Sequence, residues 1–353
     1  MSEKLKACVV GAGSGGKLSM TALTKSVRYE LIAVADISHD ARVAARAAYD
    51  GVRTYPDHRE MFAAVRPDVV CVSTWPPSHE EITLDALKLP LRGIVVEKPL
   101  AHTAESARRL LAAIKKHKLP MAVPHNLMVK RTPLEIIERV RRGDIGELKL
   151  VEIQCHRWDI INAGIHWLQW TVNLLGDDRP AWVLAACDAS TRTWRDGMQV
   201  ETEAVTYAQS VSGVRVVMHT GDDVRIARQG KGTLFRVVGT GGLIEFWGWE
   251  NGYMLTDAAH PGGELIAPEE YPVTGHQRQL ENLAEMIDAG RCDYTMAETS
   301  LTALELCEGA YISNRHRCKV TLPLEGFTPP PLPDWDPGRP YSGSGGGRDG
   351  RKL

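Results

Sequence analysis

Up to about residue 120 the chain alternates short, evenly apolar runs with stretches of helical period. The runs "KACVVG", "YELIAVAD", "VRTYP", "PDVVCVSTW", "GIVVEKP" and "PMAVPH" read as six strands. Between them lie helical stretches: Gly16 to about Ser26, "SHDARVAARAAYD", "DHREMFAAV", "SHEEITLDALKL" and "TAESARRLLAAIKKHK". Asp57, Ser78 and Thr103 are the expected N-caps of the last three. Strands that lack a polar face and are each followed by a helix predict an α/β unit, a parallel sheet covered on both sides. Its expected span is residues 1–121.

The pattern changes near residue 122. After a helix at "PLEIIERVRRG" come longer strands in series: "ELKLVEIQCHRW", "RPAWVLAACDA", "EAVTYAQSV", "VRVVMHTG", "GTLFRVVGT" and "GLIEFWGW". One helix interrupts them at "GIHWLQWTVNLLG", and two helical stretches close the region, "HQRQLENLAEMIDAG" and "AETSLTALELCEGAYISNRH". Consecutive strands predict a second, α+β domain over residues 122–327 with a large open, mainly antiparallel sheet. Residues 328–353, rich in Pro and Gly, bury too little apolar surface to fold alone and read as an arm with a disordered end.

At 353 residues the chain exceeds what one hydrophobic core usually serves, in line with two domains. A formal net charge of −2 gives no basic surface for nucleic acid or an anionic membrane. No apolar run is long enough for a membrane span, and the charged N-terminus does not read as a signal peptide. Seven cysteines, an odd number with no C-x-x-C pair, argue against a disulfide framework and structural zinc, and no metal site is expected. A reducing, cytoplasmic setting is expected.

"VVGAGSGG" places Gly11, Gly13 and Gly16 in G-x-G-x-x-G spacing between a strand and a helix, with Asp36 at the end of the second strand. Gly11 permits the tight turn, Gly13 lets a pyrophosphate approach the backbone, and Gly16 lets helix pack on strand. Ser14 belongs to the same loop, and the helix N-terminus presents free N–H groups to phosphate. Asp36 would accept hydrogen bonds from the adenosine ribose and repel a 2′-phosphate. NAD is therefore the expected cofactor and the first domain a Rossmann dinucleotide-binding domain. "GIVVEKP" then puts Glu97 and Lys98 at a strand's carboxyl end, where ligands of such sheets bind. The Lys98 ammonium can orient a substrate hydroxyl and assist proton loss, Glu97 can steady the lysine or bind ribose, and Pro99 admits a cis bond.

Together Gly11, Gly13, Gly16, Asp36 and "EKP" resemble the Gfo/Idh/MocA family of oxidoreductases. The resemblance continues through "DVVCVSTWPPSH", "RRGDIGEL", "RVVGTGGLIEF" and "ALELCEGAYISNRHRCKVTLPL", to about residue 325. It implies a Rossmann domain, an open-sheet domain whose face covers the nicotinamide, and substrates that are mostly sugars, cyclitols and related polyols. Thr74 and Pro76 are expected against the ribose and nicotinamide, His79 at the following helix start is a cofactor-binding candidate with a structural role as the alternative, and Asn126 corresponds to a polar nicotinamide contact. "WDIINAGIHWLQW" is similar to the family's D-x-G-x-H-x-x-D segment, with His166 kept and both acids replaced by amides, Asn162 and Gln169. The resemblance makes His166 the general acid/base, and its reference pKa of about 6.5 suits proton exchange near neutrality. Asn162 can still hydrogen-bond a hydroxyl but cannot carry charge. Asp159, His156 and Arg157 are candidate replacements for the missing acids. Trp158, Trp167 and Trp170 read chiefly as core, though aromatic faces also stack on sugars.

The expected function is hydride transfer between a carbinol carbon of a sugar, cyclitol or polyol and NAD, with Lys98 and His166 catalytic and Asn162, Trp158, His156, Arg157 and Gln169 around the substrate. Two alternatives stay open: redox-neutral glycosidase, dehydratase or epimerase chemistry through transient oxidation, and a non-catalytic NAD-binding regulator. A homodimer or homotetramer through the second domain's sheet is expected, with "VRVVMHTG" and "GLIEFWGW" as candidate surface strands.

Overall fold

The structure, a computed structural model, describes residues 3–190, 193–227, 230–325 and 337–340. It divides into two compact units, residues 1–124 with 272–301, and residues 125–271 with 302–353.

In chain order the first unit holds β1 (Leu5–Val10), α1 (Ser14–Lys25), β2 (Tyr29–Ala35), α2 (His39–Ala48), β3 (Arg53–Tyr55) and α3 (His58–Ala64). It continues with β4 (Val69–Val72), α4 (His79–Ala86), β5 (Gly93–Val96), α5 (Ala104–Lys116) and β6 (Met121–Ala122). The six strands form a parallel sheet in the order β3-β2-β1-β4-β5-β6. The order reverses between β1 and β4, which opens a crevice at their carboxyl ends, the ligand position of doubly wound sheets. Asp57 and Thr103 cap α3 and α5 through their side chains, as their positions predict. Ser78 does not cap α4. Its hydroxyl instead donates to Thr74 Oγ1 at 2.7 Å and to the Trp75 carbonyl at 2.9 Å, because a 3₁₀ turn at Pro76–Ser78 runs directly into the helix.

The second unit follows with α6 (Arg131–Arg142), β7 (Leu148–His156), α7 (Ile165–Leu175), β8 (Pro180–Asp188), β9 (Thr193–Arg195) and β10 (Met198–Val200). Then come β11 (Glu203–Ser210), β12 (Arg215–Gly221), β13 (Thr233–Gly239), β14 (Gly242–Phe246), β15 (Tyr253–Asp257) and β16 (Glu264–Ile266). The last elements among the described residues are α8 (Gly275–Asp288), α9 (Thr295–His316) and β17 (Val320–Thr321). The large sheet has nine strands in the order β16-β15-β14-β13-β7-β12-β11-β8-β17. It is mixed: β7 and β12 run parallel and the other pairs antiparallel. One face buries Val151, Ile153, Phe235, Val237, Ile244 and Phe246, on which Trp167 and Trp170 of α7 pack edge-on. Those two tryptophans are core, and the Trp170 indole N–H donates to the Pro133 carbonyl at 3.1 Å.

Helix α8 lies within residues 122–327, the span expected for the second domain, yet it groups with the first unit. Its Leu280, Leu283, Ala284 and Met286 complete the apolar cluster of β1, β2 and β4. The Tyr29 hydroxyl donates to the Leu280 carbonyl at 2.7 Å, and the Ser26 hydroxyl to Glu281 at 2.6 Å. Of the Pro/Gly-rich arm, only residues 337–340 are described; Met198 bridges Pro340, and Gly338 N–H donates to the Gln199 carbonyl at 2.7 Å. The expected disorder of the last residues falls outside the described residues.

Candidate active site

The glycine loop of the first unit is fixed by contacts that admit no side chain. Gly11 has φ +94°, and a Cβ there would lie 2.5 Å from the Ser73 carbonyl oxygen. Gly16 is closed against the same turn, with a Cβ falling 1.9 Å from the Gly11 carbonyl oxygen. Gly13 differs: it is exposed, and a Cβ on it would have nothing within 4 Å. Its absent side chain therefore serves no internal packing and leaves space open above the first turn of α1. No side chain caps that turn, and Ser14 opens it exposed, so its N–H groups remain available to an anion. Asp36 lies beside it. One carboxylate oxygen accepts the Ala12 N–H at 2.6 Å and the other the Ser38 N–H at 2.7 Å, so Asp36 shapes the loop and keeps lone pairs for ribose hydroxyls.

The carboxyl ends of β4 and β5 supply the rest of this half. The Lys98–Pro99 peptide is cis. Glu97 is buried, its carboxylate packs against Gly15 of the glycine loop, and its Oε1 lies 3.2 Å from His276 Nε2. Lys98 stands half-buried beside it. Thr74 is half-buried and Pro76 buried in the turn after β4. His79 corrects its expected role. It is 0% exposed, with Nε2 at 2.9 Å from the Thr74 carbonyl and Nδ1 at 3.0 Å from the Pro99 carbonyl. It ties the loop after β4 to the loop after β5 and has no surface to offer a cofactor. Burial pushes its pKa down, keeping the ring neutral.

In the second unit a π-helical turn over Ile160–Gly164 precedes α7. The wider π turn is a recurrent device at functional sites. Gly164 packs it onto β12, since a Cβ there would meet the Met218 methyl at 3.0 Å. His166, 7% exposed, sits edge-on to His125 at 5.3 Å and to Trp249 at 5.1 Å. Asn162 is buried, and both its backbone N–H (2.7 Å) and its side-chain amide (2.9 Å) donate to Asp159 Oδ1. The other Asp159 oxygen pairs with Arg195. Asp159 is thus buried and neutralised in place, which removes it as a stand-in acid. Gln169 is 0% exposed in α7. His156 is half-buried at the end of β7, 3.3 Å from Arg225, while Arg157 turns outward with φ +68°. Trp158 is 39% exposed and carries the Arg195 guanidinium 4.9 Å from its ring centre. Asn126, in the 3₁₀ turn before α6, has a buried carbonyl oxygen with no hydrogen-bond partner among the described residues.

Four residues of these surroundings escape the sequence reading: His276, Trp249, Arg195 and Glu201. His276 and Trp249 come from distant segments and carry no local signal. Arg195 and Glu201 had one: "WRDGMQV" holds an Asp-Gly pair between apolar positions. That is a hairpin signature, and Asp196 and Gly197 take φ +48° and +76° between β9 and β10.

A doubly wound sheet with this glycine loop, joined to a mixed-sheet unit, defines an NAD-binding oxidoreductase. A family model described as oxidoreductase family, NAD-binding Rossmann fold, matches residues 5–125. The chain is 25% identical over 333 residues to the rhizopine catabolism protein MocA of Rhizobium meliloti, covering 86% of this chain and 92% of that one. It is 38% identical over 112 residues to an inositol 2-dehydrogenase of Klebsiella pneumoniae, a match spanning 31% of this chain and only 33% of the relative. Among solved structures it is similar to an inositol dehydrogenase homologue of Azotobacter vinelandii in complex with NADH and myo-inositol. That likeness has a TM-score of 0.77 at 18% identity and covers 91% of this chain and 98% of the other. Over residues 5–125 the chain thus matches the Gfo/Idh/MocA oxidoreductase model, and along most of its length it is similar to MocA. Among the described residues no helix is long and apolar enough to cross a membrane, and no cluster of side chains has the makings of a metal site.

Proposed function

We propose that the protein oxidises a secondary hydroxyl of a cyclitol, sugar or related polyol, or reduces the corresponding ketone. NAD, when bound, supplies the hydride acceptor. Lys98 donates a hydrogen bond to the substrate oxygen and stabilises the alkoxide as the proton leaves. His166 takes that proton. Asn162 keeps its turn in place through Asp159, and Trp158, His156 and Arg157 stand as further candidates around the substrate, whereas Gln169, 0% exposed, has no surface to offer it. Gly13, Ser14, Asp36, Thr74, Pro76, Glu97 and Asn126 hold the cofactor.

The observation that carries this reading is the open Gly13 above the uncapped first turn of α1, with Asp36 beside it, which leaves room and N–H groups for a dinucleotide. The test mixes protein and NAD with cyclitols, sugars, sugar acids and glycosides, and follows NADH absorbance and product mass together. NADH appearing with a ketone supports the reading. Product without net NADH selects the redox-neutral alternative, which the amides at Asn162 and Gln169 favour. NAD binding without product across the panel would leave a binding protein.

We also propose a homodimer or homotetramer through the open face of the nine-stranded sheet, where Leu184 is 38% and Val205 47% exposed beside Trp182 and Tyr207. The strands first singled out, β12 and β14, contribute less to this face: Met218, Ile244 and Phe246 point into the core. Light scattering on wild type and Val205→Asp tests it; a monomeric wild type excludes it.

A further inference from the structure

Between β10 and β11 lies Glu201, a carboxylate 1% exposed that the reaction above does not use. Its Oε1 accepts the Ile160 N–H at 2.7 Å, and its other oxygen accepts the Tyr311 hydroxyl, from α9, also at 2.7 Å. Ile160 is the first residue of the π turn. Asp159, immediately before it, accepts both Asn162 donors and pairs with Arg195 of β9. Two adjacent residues at the root of the turn are therefore held, Ile160 by Glu201 and Asp159 by Arg195, and His166 follows two residues past the turn's end, in α7.

We propose that Glu201 is a positioning residue for His166: through the Ile160 N–H it holds the turn that presents His166 to the substrate. This rests on the role assigned to His166 above.

The charges around Glu201 make that hold sensitive to pH. Asp159 faces it as a second acid, Arg195 is the guanidinium paired to Asp159, and Tyr311, Cys187 and Cys307 face it as neutral groups, their pKa values pushed well up by burial. Burial first, and the Asp159 charge second, raise the Glu201 pKa to about 7. One guanidinium does not neutralise two carboxylates, so a second ionisation sets Glu201 and Asp159 against each other across the turn root. The hydrogen bonds from Ile160 and Tyr311 favour the ionised carboxylate, while burial and the Asp159 charge oppose it, so the turn root changes charge near neutral pH.

The test uses Glu201→Ala and the isosteric Glu201→Gln on the full-length protein. Glu201→Ala is expected to lower kcat by about tenfold or more, roughly 1.4 kcal/mol of lost transition-state stabilisation, with the KM for NAD unchanged. Glu201→Gln keeps the acceptor for Ile160 and cannot ionise. It is expected to restore kcat and to lack the change in kcat near pH 7 that ionisation of Glu201 is expected to give the wild type. A Glu201→Gln variant as impaired in kcat as Glu201→Ala overturns the proposal. A second readout needs no substrate: in histidine-labelled protein the His166 ring signal, assigned with His166→Asn, should shift in Glu201→Ala and return in Glu201→Gln. If the signal behaves so while no substrate turns over, the proposed reaction fails and the positioning role stands. If the signal is unmoved in Glu201→Ala, the positioning role fails whatever the turnover.

Discussion

Replacing Gly13 by alanine separates what the glycine loop does for folding from what it does for the cofactor. Gly13 has φ −69° and ψ −160°, backbone that alanine adopts without strain, and a Cβ there meets nothing within 4 Å. The folded protein should therefore tolerate the methyl group. A compatible Gly→Ala change stabilises by about 0.4–1 kcal/mol through the unfolded chain, an increase of at most a few degrees in Tm. The pyrophosphate needs that space, however, and a methyl group in the cradle forces phosphate away from the N–H groups of α1. Losing about 1.4–3 kcal/mol of such contacts weakens NAD roughly 10- to 100-fold. Gly16→Ala is the foil. Its methyl would sit 1.9 Å from the Gly11 carbonyl oxygen, about half the ~3.5 Å of ordinary carbon contact. Gly11 cannot retreat, since its N–H is bonded to the Ala35 carbonyl at 2.8 Å and its Cα faces Ser73. That variant should lose stability by about 1–3 kcal/mol as well as NAD. Thermal unfolding and NAD titration by calorimetry on the two variants decide it. Gly13→Ala binding NAD like wild type would refute the placement of the pyrophosphate.

Asp36→Ala removes the acceptor of two backbone N–H groups and of the ribose hydroxyls; NAD affinity should fall about tenfold and the preference over NADP should vanish in parallel titrations. Lys98→Ala should lower kcat about 100-fold or more while NAD binding stays within a few-fold; full turnover in a steady-state assay would remove Lys98 from catalysis. Glu201 also predicts a stability trend. Its pKa rises on folding from 4.5 to about 7, so its contribution is fully present below pH 4.5 and is lost as pH climbs through 7. Melting temperatures of Glu201→Gln and wild type should therefore diverge from pH 5 to pH 8, the glutamine variant gaining, and a constant difference would show that Glu201 does not titrate there.

The first unit was readable because its signals are local. An apolar run, a glycine spacing and an acid at the next strand's end each constrain the few residues around them, and β1, α1 and β2 follow. The nine-stranded sheet was readable in kind, since strands in series predict it. Its order was not: β7 lies between β12 and β13, neither its neighbour in sequence. Ser78 shows the limit at a single residue, because a cap position is read from spacing and the Pro76–Ser78 turn used the hydroxyl elsewhere.

The sequence by itself determined the cofactor class, the strand that ends on Glu97 and Lys98, and the candidacy of His166, because each rests on residues within one element or one turn. Only the tertiary structure decided what those residues lean on. Asp159 looked like a spare acid until Arg195 was seen to neutralise it, and His79 like a ligand contact until its ring was found buried between two loops. Glu97 acquires His276 from 179 positions away, and Glu201 acquires Ile160 and Tyr311. Hydrogen bonds and desolvation act over a few ångströms of space, and chain separation carries no record of which groups packing will bring that close.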